Sequence, residues 1–152
     1  MKRVMPLIAG VALVAASVTA VAEVAPGDVK IEDGTVSQSL TGQPGDPAMG
    51  REWAAGRKLG NCLACHANSD LKNEQFHGEV GPALDGVGDR WNAEQLRAIL
   101  VNSKAVFGDA TIMPAFYRDS GFFRPAEDFA GKTILTAQQV EDVIAYLLTL
   151  KE

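Results

Sequence analysis

The segment Gly60-Asn61-Cys62-Leu63-Ala64-Cys65-His66 constrains this chain more than any other. It holds both of the chain's cysteines, with an imidazole directly after the second. Two thiols at that spacing reach the two vinyl groups along one edge of a porphyrin and close as thioethers, which sets the next residue beneath the iron. The chemistry then divides among three side chains. Cys62 and Cys65 attach one haem covalently, and His66 is an axial ligand of its iron. Other uses of a cysteine pair want company that the sequence lacks. A thioredoxin-type redox pair sits in a βαβ unit, and no stretch here alternates apolar and polar residues with period two. A zinc site takes about four ligands, and reaching that number with cysteine and histidine would need every one in the chain, His77 with Cys62, Cys65 and His66.

The N-terminus supplies the export route that such a site requires. Lys2 and Arg3 precede an uncharged run over residues 4–22, rich in Ala, Val and Leu and ending in Ala20-Val21-Ala22. A basic head, an apolar stretch and a small-x-small end read as a secretory signal peptide over residues 1–22, which implies a periplasmic protein. A membrane anchor is the alternative. The run reaches the lower length limit for spanning, but Pro6, Gly10, Ser17 and Thr19 dilute it. No later segment is long and apolar enough to span, so no membrane span is expected in the mature chain. Removing Lys2 and Arg3 leaves 12 basic against 19 acidic residues, a net charge of −7. That balance argues against nucleic acid and anionic lipid as partners.

Beyond the signal, residues 23–45 hold Gly, Pro, Ser and acids without helical periodicity. They read as an extended or mobile arm, either a disordered tail or a strap that orders against a partner. Residues 46–152 form a single domain. Asp46 as N-cap and Pro47 at the first helical position begin a helix expected to run past Met49, Trp53 and Arg57 towards Gly60. Asn92 with Gln95 opens a second helix, and Leu96, Ile99 and Leu100 give it an apolar face. Thr136 with Gln139 opens the last, lined by Val140, Val143, Ile144, Leu147 and Leu148. The loops between them, residues 67–90 and 107–131, are long for a compact domain unless a haem supplies core. An all-α fold wrapped around one haem follows.

The iron needs a second axial ligand. Met113 is the leading candidate, in an irregular segment stiffened by Pro114, and a His/Met pair raises the reduction potential. Ordinary core packing would also account for a methionine there. His77 is the rival ligand, in a loop only 11 residues beyond His66. Arg90 and Trp91 are candidate propionate donors, although Trp91 would equally serve as core. No residue has the setting of a catalytic acid, base or nucleophile, and the acidic pairs Glu127-Asp128 and Glu141-Asp142 read as solvated surface.

Several segments together resemble a known family. Gly81-Pro82-Ala83-Leu84 is similar to the Gly-Pro-x-Leu stretch of small class I c-type cytochromes. That likeness implies that the Pro82 carbonyl accepts a hydrogen bond from the axial histidine. The attachment segment, the stretch from Gly78 through Gly86-Val87-Gly88-Asp89-Arg90-Trp91, and Met113-Pro114-Ala115-Phe116-Tyr117 resemble the SoxX family, over roughly residues 46–150. The resemblance implies a class I cytochrome c-like fold and one haem c, with His66 and Met113 as axial ligands. It also implies a role as the non-catalytic electron-transfer subunit of a thiosulfate-oxidising complex (the L-cysteine S-thiosulfotransferase of the SoxAX type). Its partner would be a SoxA-like haem subunit; a carrier of the SoxYZ type and a small electron-acceptor cytochrome would meet it through the complex. A free monohaem carrier serving an oxidase or dehydrogenase is the alternative. One position departs from the class pattern: Lys58 stands where many class I cytochromes place an aromatic, so Trp53 or Leu59 must make the contact with the last helix.

Overall fold

Asp46 begins the first helix by capping it: its carboxylate accepts from the amides of Ala48 (2.8 Å) and Met49 (3.4 Å), and Pro47 fills the first helical position. In the computed structural model, which describes residues 22–152, this helix is α1 (Pro47–Ala55). The expected signal segment, apart from Ala22, lies outside the described residues. Helix α1 stops well short of Gly60, because Gly56 turns extended (ψ 114°) and ends it. A turn follows, in which the Gly60 amide donates back to the Trp53 carbonyl (3.1 Å) and the Asn61 amide to Gly56 (3.0 Å). Asn61 takes a left-handed conformation (φ 48°), which asparagine tolerates better than most residues, and delivers the chain to Cys62.

Three more helices complete the frame: α2 (Val87–Arg90), α3 (Ala93–Phe107) and α4 (Ala137–Leu147). Both expected capping boxes are present, Asn92 with Gln95 and Thr136 with Gln139. Helix α3 leaves helical geometry at Asn102 (φ −153°, ψ 86°). The described residues contain no strand; the only pairing is an isolated bridge between Glu32 and Thr35.

Helix α4 is the hub, packed mainly on α1 and secondarily on α3. The α1 crossing is tight because Gly50 lies against the Asp142 carbonyl, where any Cβ would collide with backbone. Beside it the Trp53 indole donates to Asp142 Oδ2 (3.1 Å). A close glycine contact and an anchored Trp53 thus make the join that the missing aromatic at Lys58 would have made.

Glu141 and Asp142 depart from expectation: they are buried, each only 5% exposed. Glu141 accepts from Arg97 on α3 (2.8 and 2.9 Å) and from the Leu40 amide (2.8 Å). Asp142 accepts from the Asp46 amide (2.9 Å) and from Gln138 as well as from Trp53. Buried carboxylates persist only where paired and hydrogen-bonded, and these two sit where α1, α3 and residues 23–45 meet α4. The arm residues are correspondingly seated. Leu40 and Val36 are buried, Arg97 donates to the Val36 carbonyl (2.8 Å), and the Val36 amide donates to Glu94 (3.0 Å).

Candidate functional site

The attachment segment folds as a 3-10 turn, Cys62–Ala64, closed by the His66 amide donating to the Cys62 carbonyl (2.9 Å). Leu63 points into the core, while Cys62, Cys65 and His66 stay partly exposed and the two thiols are unjoined. Desolvation pushes the half-buried Cys62 thiol up to about 12, away from the lowered values of redox-active thiols. Among the described residues no three His, Cys, Asp or Glu side chains converge as a metal cluster would require.

His66 is oriented from the loop that follows. Its Nδ1 lies 2.6 Å from the Pro82 carbonyl. A carbonyl can only accept, so Nδ1 carries the proton and Nε2 keeps a free lone pair. Gly81 makes this possible: a Cβ there would run into the imidazole ring. The same loop is tied back by Gly81 N to the Cys65 carbonyl (2.7 Å) and Leu84 N to the Ala67 carbonyl (2.8 Å). Arg90 clasps it further, donating to the carbonyls of Asp85 (2.6 Å) and Ala83 (2.7 Å). Trp91 is half-buried and meets Phe107 edge to face, ring centroids 6.2 Å apart.

His77 has no nitrogen left for iron. Its Nδ1 accepts from the Asn68 amide (3.1 Å) and its Nε2 donates to the Leu71 carbonyl (3.1 Å). The ring staples the loop between the 3-10 turn Ser69–Leu71 and Gly78.

Met113 is partly buried against the core. Its segment is irregular, and individual hydrogen bonds locate it. Ser103 Oγ, one residue past the break in α3, donates to the Met113 carbonyl (2.6 Å). The Phe116 amide donates to Leu100 (2.9 Å), and the Phe116 carbonyl accepts from Ile134 and Leu135 (both 3.0 Å). Ser103 had no sequence signature, since a helical serine reads as filler. The donor chemistry suits a c-type haem: two unjoined thiols, an imidazole with Nε2 free, and a thioether on a separately braced segment.

The cytochrome c family model matches residues 53–151. A chain in the crystal structure of SoxXA from P. pantotrophus is 48% identical, with 86% of this chain and 100% of that one covered at a TM-score of 0.80. The c-type cytochrome SorU from Sinorhizobium meliloti is 28% identical over 69% of this chain and 90% of its own, at a TM-score of 0.44. No curated protein matches the chain. With a small all-α fold, a Cys-x-x-Cys-His turn and full-length likeness to a SoxXA chain, this protein belongs to the cytochrome c family and, within it, to the SoxX cytochromes.

Proposed function

We propose that this chain is the electron-transfer subunit of a periplasmic sulfur-oxidising complex. It would take electrons one at a time from a SoxA-like haem subunit and hand them to a small cytochrome. Cys62 and Cys65 would hold haem c by thioether bonds, and His66 Nε2 and the Met113 thioether would hold its iron. Bound there, the haem supplies a one-electron ferric/ferrous couple, which a His/Met pair biases towards the ferrous state. The protein's own part is to orient and enclose. The Pro82 carbonyl fixes the His66 ring and strengthens it as a donor. Ser103 holds the Met113 backbone. The Trp91 indole N–H, and the guanidinium N–H groups that Arg90 does not use on Asp85 and Ala83, would serve the propionates.

The observation that carries the haem assignment is the short His66–Pro82 contact, which engages Nδ1 and leaves Nε2 as the nitrogen able to donate a lone pair. The likeness to a SoxXA chain supports the place in a complex; thiosulfate joined to a SoxYZ-type carrier, as the reaction served, is what the family resemblance implies. Coexpression with a SoxA-like subunit and a c-type maturation system tests both. A stable heterodimer should form, this chain should gain the mass of one haem, and thiosulfate with the carrier should reduce an added cytochrome faster than the partner alone allows. Unmodified mass with both thiols alkylatable would end the haem assignment; a monomer beside that partner would return the chain to a free carrier.

A further inference from the structure

We propose that the amino-terminal arm braces the segment that carries Met113, with Tyr117 as the positioning residue that joins the two. The inference rests on Met113 being the second axial ligand. Tyr117 lies four residues beyond Met113 and is 2% exposed. Its hydroxyl faces two acceptors at the start of the arm, the Val24 carbonyl at 2.7 Å and Glu23 Oε1 at 2.9 Å. Burial first, and the Glu23 carboxylate second, hold that hydroxyl protonated, so it donates to the arm.

The arm end is itself fixed. Val24 N donates to the Leu40 carbonyl (2.8 Å), and the Leu40 amide donates to Glu141 on α4 (2.8 Å). A continuous chain of hydrogen bonds therefore runs from α4 through Leu40 and Val24 to Tyr117. Without it, the 113–117 segment keeps Ser103 at one end and the Phe116 backbone bonds in the middle, and Tyr117 loses its partner. The segment is itself neither helix nor strand, so its position depends on such individual bonds. A thioether is a neutral, weak axial ligand, and a segment free to swing lets it leave.

The test is the rate at which imidazole displaces the distal ligand in the ferric holoprotein, followed beside the weak near-infrared band of ferric thioether coordination. Tyr117→Phe removes only the hydroxyl; a mature chain lacking residues 23–28 removes the acceptors. One hydrogen bond lost from the closed segment should speed displacement about three- to tenfold in each. Tyr146→Phe is the control, because that hydroxyl donates to Asp70 and accepts from Asn68, away from the Met113 segment. It should lower the denaturation midpoint and leave the displacement rate alone.

Unchanged rates in both test variants would overturn the brace. Equal acceleration in Tyr146→Phe would do the same, since general loosening would then explain everything. If the truncated chain yields no holoprotein, Tyr117→Phe decides. Met113→Ala separates the two levels: loss of the near-infrared band with Tyr117→Phe unmoved sinks the brace alone, whereas a retained band removes the ligand and the brace together.

Discussion

At the scale of single residues, the two histidines divide by what their nitrogens touch. Pro82 offers His66 one acceptor and leaves Nε2 open, while backbone groups occupy both nitrogens of His77. Met113→Ala should therefore lower the reduction potential and abolish the near-infrared band, and His77→Ala should spare both while loosening residues 68–77; redox titration of the two variants checks the contrast. The reverse pattern would put the distal ligand on His77. Cys62, Cys65 and His66 can be proposed from the sequence because covalent attachment would fix their spacing. The occupation of His77 was not, since it depends on where the Asn68 and Leu71 backbone comes to lie. Asp70 gives a pH signature. The Arg51 guanidinium (2.7 Å), and then the Tyr146 hydroxyl, hold its carboxyl below the usual carboxylate range. A folded value below the unfolded one contributes stability that is present above about pH 4 and is lost as pH falls through the folded value. Both side chains are nearly half exposed, so solvent screening keeps the effect small. Denaturation midpoints at about pH 5 and about pH 3 should differ less in Asp70→Asn than in the parent chain.

At the scale of elements, the helix starts were readable and the joints were not. Asp46-Pro47, Asn92 with Gln95 and Thr136 with Gln139 are local signals, and each opens the helix it announces. The adjacent acids Glu141-Asp142 look solvated because sequence periodicity sees only their own helix. Their partners Arg97, Asp46 and Leu40 lie 44, 96 and 101 residues away. Buried at a joint between three segments, Glu141 is expensive to lose. Glu141→Gln leaves the Arg97 charge without its counter-ion and should destabilise the fold by about 3–5 kcal/mol, read from denaturant unfolding of the holoprotein. Gly50→Ala tests the neighbouring joint. A methyl group there meets the Asp142 carbonyl, so α1 and α4 must separate, at a cost of about 1–3 kcal/mol. A cost near zero would show that the crossing has slack and that Trp53 alone carries the contact.

On the scale of the whole molecule, the seated arm changes where a partner should be sought. Residues 23–45, legible only as an irregular segment, have their apolar anchors Leu40 and Val36 in the core and their polar ties on α3 and α4. An arm so engaged has little apolar surface left to offer a second subunit. The segment after Met113 has more. Phe123 is 92% exposed, Phe122 and Phe129 are also exposed, and Ile112 lies uncovered just before Met113. Single surface apolars need no explanation; the run of exposed phenylalanines within residues 122–129 is the feature that a partner would cover. A haem subunit that passes electrons to its partner would gain from contact beside Met113, its proposed distal ligand. A SoxA-like subunit is accordingly expected to cover this stretch. Burying a phenylalanine is worth about 1.5–3 kcal/mol, so Phe123→Ser should weaken the heterodimer about tenfold or more, measured by titrating one labelled subunit with the other. Its near-infrared band and imidazole rate should match the parent, because the exposed ring supports nothing inside this chain. Removing residues 23–28 should do the opposite, disturbing the distal ligand with little effect on subunit affinity. If instead the truncation weakens the heterodimer and Phe123→Ser does not, the arm faces the partner, and the aromatic stretch is left as surface in the assembled complex.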